Sequence, residues 1–183
     1  MRKILLIILL LTIYFNGMSC SCADKLPNFV KASNDNYVDL VVMVKILSHE
    51  NYYVREPKLD TFRLPMSVKV EVIKIYKGQE VNKEIKIFSG TGYDCIEPVH
   101  HFKPGEYYIV AFPKPERIER ESGIVQTDKD YFIPSCGEYI IKYDPRTDIV
   151  KGRIKDNNKK IRSIRLVDFE AFFAKYSDKR RRK

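Results

Sequence analysis

The chain has 183 residues, 44% of them hydrophobic and 31% charged, with no Trp and a formal net charge of +9. That is about one domain in length, with apolar residues enough for a core that needs no structural metal. Beyond the N-terminus no segment approaches the roughly 20 apolar residues of a spanning helix, and three histidines (His49, His100, His101) without a matching Ser, Cys or carboxylate pattern argue against an enzyme.

The N-terminus has the layout of an export signal over residues 1–19. Arg2 and Lys3 form a positive n-region, Ile4 to Ile13 an almost unbroken apolar h-region, and Gly17 and Ser19 are the small residues before Cys20. The competing reading is an uncleaved anchor, for which the apolar run is short. Cleavage after Ser19 makes Cys20 the first residue of a secreted or extracytoplasmic protein and, by removing Arg2 and Lys3, lowers the net charge from +9 to +7. Cys20 then has three fates: lipid anchor, disulfide partner, or a metal-chelating terminus with a free amine.

All four cysteines, Cys20, Cys22, Cys95 and Cys136, fall in the exported part. An even count in an oxidising compartment favours two disulfides, with three connectivities open. Cysteines as close as Cys20 and Cys22 rarely bond to each other, so each is expected to reach a distant partner, one Cys95 and the other Cys136. A zinc site competes weakly, because there is no CxxC pair and His100-His101 beside Cys95 lacks further ligands at zinc spacing. Asp94 and Glu97 beside them are ordinary acidic residues near a turn. No catalytic, cofactor or metal residue is expected.

In chain order, Leu26 to Ser33 predicts a short helix with Pro27 in its first turn. Val38 to Leu47 is a nearly continuous β-branched run and predicts a buried strand. His49 to Pro65, polar and rich in Tyr, predicts a long exposed connection. Met66 to Tyr76 alternates at Val68, Val70 and Val72, then changes phase at Ile73 and Ile75, the mark of a bulge or bend in a strand serving two sides of a barrel. Lys77-Gly78 is a turn, Ile85 to Phe88 a short strand, Ser89-Gly90-Thr91-Gly92 a turn, and Glu106 to Phe112 a strand launched by Pro104-Gly105. Pro113 to Lys129 predicts a charged loop and Asp130 to Cys136 a return to the core. Glu138 to Asp144 and Ile149 to Ile154 predict a hairpin around Pro145-Arg146-Thr147. Leu166, Phe169 and Phe173, with Phe172 adjoining, give Ile164 to Tyr176 a helical face. Residues 177–183 end in Lys179-Arg180-Arg181-Arg182-Lys183, a basic tail suited to polyanions or a membrane surface.

In this order of parts (Cys-Ser-Cys at the mature start, helix, VDLVVMVKIL, SVKVEVIKIYKG, IKIFSG, a cysteine, FKPGEYYIVAF, a final cysteine) the chain resembles the netrin-module and tissue-inhibitor-of-metalloproteinases superfamily, and looks closer to its bacterial secreted members of unknown role. The resemblance covers roughly Cys20 to Gly137. It implies a mainly β fold, a small five-stranded OB-type barrel over residues 20–137, here with a short N-terminal helix and with the hairpin and helix of residues 138–176 packed on it. It also implies the pairs Cys20 with Cys95 and Cys22 with Cys136. The third disulfide and the cysteine-rich second domain of animal inhibitors are absent, and Ile96 stands where their cysteine is followed by glycine.

For function the resemblance implies a metalloendopeptidase inhibitor. A disulfide-held first residue, Cys20, offers its neutral α-amine and carbonyl to the open position of an extracellular protease's catalytic zinc, and Ser21 faces the specificity pocket. The alternative is a non-inhibitory module, secreted or lipid-anchored through Cys20, that binds protein or glycan through the loops Asn51 to Pro65 and Pro113 to Lys129. Gly17-Met18-Ser19-Cys20 loosely fits a lipoprotein signal, although Gly17 replaces the usual Leu and lipidation leaves three thiols. Positive charge with Tyr52, Tyr53 and Tyr93 also suits a nucleic-acid surface, against which export and disulfides argue.

Overall fold

The computed structural model describes residues 22, 26–54, 63–90, 95–119, 125–155 and 161–181, with side chains for all of these except 53, 54, 63, 119 and 178–181. The expected signal segment lies outside the described residues. Helix α1 is Phe29–Ser33, followed by β1 Val38–Val54, β2 Arg63–Lys77, β3 Glu84–Phe88, β4 Tyr107–Pro113, β5 Ile118–Glu119, β6 Val125–Gln126, β7 Tyr131–Phe132, β8 Ile140–Asp144, β9 Ile149–Gly152, β10 Arg162–Arg165 and α2 Leu166–Arg181. The fold is mainly β, as the sequence predicts.

Eight strands form one sheet in the order β10-β9-β8-β4-β1-β2-β3-β7, and β5 and β6 form a separate two-stranded ribbon. Every neighbour in the large sheet is antiparallel except β3 and β7, which run parallel. The hydrogen-bonded order is open, which differs from a closed five-stranded ring, and the reason lies in β4. Its second edge is occupied by β8, from Tyr107↔Tyr143 to Val110↔Ile140, and the Ala111 N–H donates to the Tyr139 carbonyl (2.8 Å). β4 and β7 still approach each other, with the rings of Phe112 and Tyr131 at 4.8 Å.

β1 is central because residues 40–44 of its first half tolerate no solvent. Leu40 to Val44 are all buried, Val41, Val42 and Val44 completely, between β2 on one side and β4 on the other. Beyond Leu47 the strand continues, which the sequence did not predict. β1 pairs with β2 as far as Val54↔Arg63, so much of the expected connection His49 to Pro65 is a two-stranded ribbon. Its polar composition reflects exposure on a ribbon, not lack of structure: Asn51 donates to Ser67 Oγ (2.8 Å), Glu50 pairs with Lys86 (3.2 Å) and Tyr52 is exposed. The expected phase change in β2 coincides with register slips between Val41/Val42 and Met43/Val44, but Ile73 and Ile75 end up exposed.

Three local devices set the ends of elements. Asn28 caps α1 by accepting from Lys31 N–H (3.0 Å), which starts the helix at Phe29, later than Leu26. At the Lys77-Gly78 turn, Gly78 has φ +81°, and a Cβ there would overlap the Asp39 carbonyl oxygen. The Lys77 ammonium donates to the carbonyls of Ser33, Asp35 and Val38, tying the end of β2 to the start of β1. α2 starts at Leu166 because Arg162–Arg165, included in part in the expected helix, pairs with β9. The helix runs to Arg181, into the stretch expected as a tail.

The core is continuous from the sheet to both helices. Phe169 is fully buried, 5.9 Å from the rings of Phe29 and Tyr76 and 5.7 Å from Phe173. Burying such a side chain contributes about 1.5–3 kcal/mol, and here it joins α2, α1 and β2 in one cluster.

Candidate functional site

The described cysteines, Cys22, Cys95 and Cys136, gather at the β7 end of the sheet. Cys22 and Cys136 form a disulfide with a Cα separation of 5.2 Å across 114 residues of chain. Cys95 is also disulfide-bonded. Cys20 and Ser21, the two expected inhibitory contacts, lie outside the described residues.

The two downstream cysteines meet because the chain leaving β7 runs back along the segment after Cys95. Glu97 N–H donates to the Ile133 carbonyl (2.7 Å), Ile96 bridges to Pro134, and Ser135 N–H donates to the Cys95 carbonyl (3.0 Å). Cys136 therefore follows directly on a residue bonded to Cys95. Next to it, Gly137 leaves room for the start of the described N-terminal segment: a Cβ there would meet the Tyr139 ring and stand 3.0 Å from Pro27. The Glu138 N–H then donates to the Pro27 carbonyl (3.0 Å), and Phe29 N–H to the Arg153 carbonyl (2.9 Å). Pro27 and Phe29 are thus held against the core by backbone bonds, a few residues from the Cys22–Cys136 disulfide.

Buried Ser89 supports the loop between Cys95 and β4. Its hydroxyl donates to the Gly90 carbonyl (2.9 Å) and accepts from Val99 N–H (3.2 Å). His49 Nε2 lies 3.3 Å from the Val99 carbonyl, and His100, His101 and Phe102 stack edge to face. All three histidines therefore adjoin this loop, a grouping the sequence alone does not reveal. His101 approaches Glu97 at 3.5 Å, yet the titrations run opposite to an ion pair. Burial first, then His100, lowers the His101 pKa against the pull of Glu106; burial, then Glu138, raises that of Glu97 against His100. Burial disfavours the charged form of each, so His101 is mainly uncharged at neutral pH. Asp94 lies outside the described residues, and among those described no group of three or more His, Cys, Asp or Glu is placed to hold a metal.

The sequence reading missed the bond that fixes β7 itself. The Tyr131 hydroxyl donates to Glu80 Oε2 (2.6 Å), and Glu80 Oε1 accepts from the backbone and side-chain amides of Asn82. The expected binding loops are shorter than predicted: Asn51 to Val54 is strand, and Pro113 to Lys129 contains the β5–β6 ribbon. Of the aromatic residues considered for nucleic acid, Tyr52 is exposed, while Tyr93 and the side chain of Tyr53 lie outside the description. No helix among the described residues is long and apolar enough to cross a membrane. No protein-family model matches the chain, and neither does any curated protein.

Proposed function

We propose that this chain is a secreted, disulfide-stapled binding protein of OB type, similar to tissue inhibitors of metalloproteinases, whose N-terminal end blocks an extracellular zinc metalloprotease. The observation that carries the reading is the convergence of the cysteines: Cys22 bonded to Cys136, with Cys95 disulfide-bonded one short hydrogen-bonded bridge away. Cys20 as the partner of Cys95 completes the double staple. The strand order β4-β1-β2-β3-β7, with a parallel β3–β7 step and ring contact between β4 and β7, supports a five-stranded OB-type barrel left open where β8 takes the edge of β4.

In this reading the chain acts by binding and has no catalytic residue of its own. The Cys20 α-amine and carbonyl are the two ligands offered to the protease zinc, replacing its hydrolytic water, and Ser21 enters the adjoining pocket. An α-amine of ordinary pKa, about 8, ligates only when unprotonated. Inhibition should therefore strengthen as pH rises from about 6 to about 8.

Adding Ser-Ala before Cys20 removes the free amine and leaves both expected staples in place. Against a panel of extracellular zinc endopeptidases the processed protein should inhibit and the extended one should not. Equal inhibition by both, or an acylglycerol mass on Cys20 in the intact protein, sinks the chelation mechanism.

A further inference from the structure

Residues 97–105 join the Cys95 segment to β4, and they are held in an unusual way. Backbone hydrogen bonds fix the two ends, from Glu97 N–H to the Ile133 carbonyl (2.7 Å) and from Gly105 N–H to the Ile46 carbonyl (2.8 Å). Between those ends, among the described residues, two side chains tie the loop to the rest of the chain: the Ser89 hydroxyl accepts from Val99 N–H, and His49 Nε2 meets the Val99 carbonyl. The loop is otherwise seated by two apolar plugs, Val99 and Phe102, both fully buried. A charge placed beside the plugs therefore competes directly with what keeps the loop down.

His101 is the group placed to supply that charge. Its ring packs edge to face on Phe102 with centroids 4.4 Å apart, and Phe102 in turn meets Tyr108 of β4 at 5.1 Å. The titratable groups around it are His100 and Glu97 from its own loop, Glu106 from the start of β4, and His49 of β1 at the Val99 carbonyl. None of them is a ready counter-ion. His100 lies 5.6 Å from His101, ring to ring, and would repel it when protonated. Burial and Glu138 push Glu97 towards its neutral form, and Glu106 is already engaged by Lys142 of β8 (2.6 Å) and by the Tyr108 hydroxyl.

We propose that residues 97–105 are an acid-opened flap: protonation of His101 in a mildly acidic medium lifts the His100–His101–Phe102 stretch and uncovers Val99 and Phe102, while the sheet stays intact. The device is independent of the chemistry at Cys20. In the open loop His101 titrates at the ordinary imidazole value, about 6.5, and in the closed loop lower, so closure weakens as pH falls through that window. Glu97 acts the other way. Its value in the closed loop lies above the ordinary 4.5, so closure regains stability as pH falls through that higher value. Opening driven by these two groups is therefore largest in mild acid.

The test is amide hydrogen exchange of the exported protein, corrected for the intrinsic effect of pH. Opening at Val99 and Phe102 should rise several-fold from about pH 7.5 to about pH 5.5, while opening at Val42 and Val44 in β1 stays constant. His101→Phe keeps a ring on Phe102 but cannot take a proton, and its loop should open equally at both pH values. In the unmodified protein, NMR titration of the His101 ring should give a midpoint below the ordinary value, with the loop amides shifting at that same midpoint; this holds the proposal to account even where the Phe variant folds poorly. Loop opening that does not change with pH, an equal rise at Val42 and Val44, the same rise in His101→Phe, or a His101 midpoint at or above the ordinary value each overturn it.

Discussion

The two ends of the sheet are held by different means. At one end β7 is two residues long and pairs with β3 through only Ile87↔Tyr131 and Phe88↔Phe132. So short a ladder cannot hold an edge by itself. It is supplemented by the Cys22–Cys136 bridge, the bonds of Cys95 to Glu97 against residues 133–135, and Tyr131 on Glu80. At the other end the β8–β9 hairpin continues the sheet and α2 buries Phe169 and Phe173 over it, with no cysteine in residues 138–183. Covalent closure is found where the backbone has little to offer, and apolar packing where a helix can supply it. The charge is unequally divided as well: residues 138–183 hold 15 Lys and Arg against 7 Asp and Glu, and residues 20–137 hold 16 against 17.

Removing the bridge should have the largest effect. Cys22→Ser with Cys136→Ser opens a closure spanning 114 residues, for which chain entropy gives about 4–5 kcal/mol. Hydrogen exchange should show amides of residues 131–136 losing protection while those of α2 keep theirs. Equal loss along the whole chain would erase the distinction between the ends. Phe169→Ala attacks the opposite end and should cost about 3–4 kcal/mol in urea unfolding, at the lower side of the usual Phe→Ala range because a surface helix can settle into the gap. Here α2 and β9 should lose protection first, with residues 95–97 and 133–136 spared.

Much of this architecture is legible in the sequence because burial leaves a period. The run Val38 to Leu47 and the spacing of Leu166, Phe169 and Phe173 both identify elements that face the core. Exposed pairing leaves none: Ser48 to Val54 and Arg63 to Pro65 form strand on a polar ribbon, and the cationic Arg162–Arg165 is an edge strand whose last two residues, Ile164 and Arg165, were expected to open the helix. Cysteine number signals disulfides, but which cysteines meet depends on the backbone after β7 running past Cys95. The Glu80–Tyr131 bond joins residues 51 apart and has no local sequence signal at all.

That bond gives the smallest and most local way to separate the two ends. Burial alone would raise the Glu80 pKa, but hydrogen bonds from Tyr131 and from Asn82 together outweigh it and hold the carboxyl below its ordinary value. A depressed carboxylate contributes stability above its unfolded pKa, about 4.5, that is lost as pH falls through the folded value. Tyr131→Phe removes the strongest of those hydrogen bonds. Since Glu80 is partly open to solvent, the expected cost at neutral pH is about 1 kcal/mol rather than the 1.5–3 typical of charged partners. The variant's Glu80 should titrate closer to normal, so its urea midpoint should fall less than that of the unmodified protein between about pH 5 and about pH 3. A parallel fall in both proteins would show that β7 is fixed by the cysteines alone, with Glu80 a bystander.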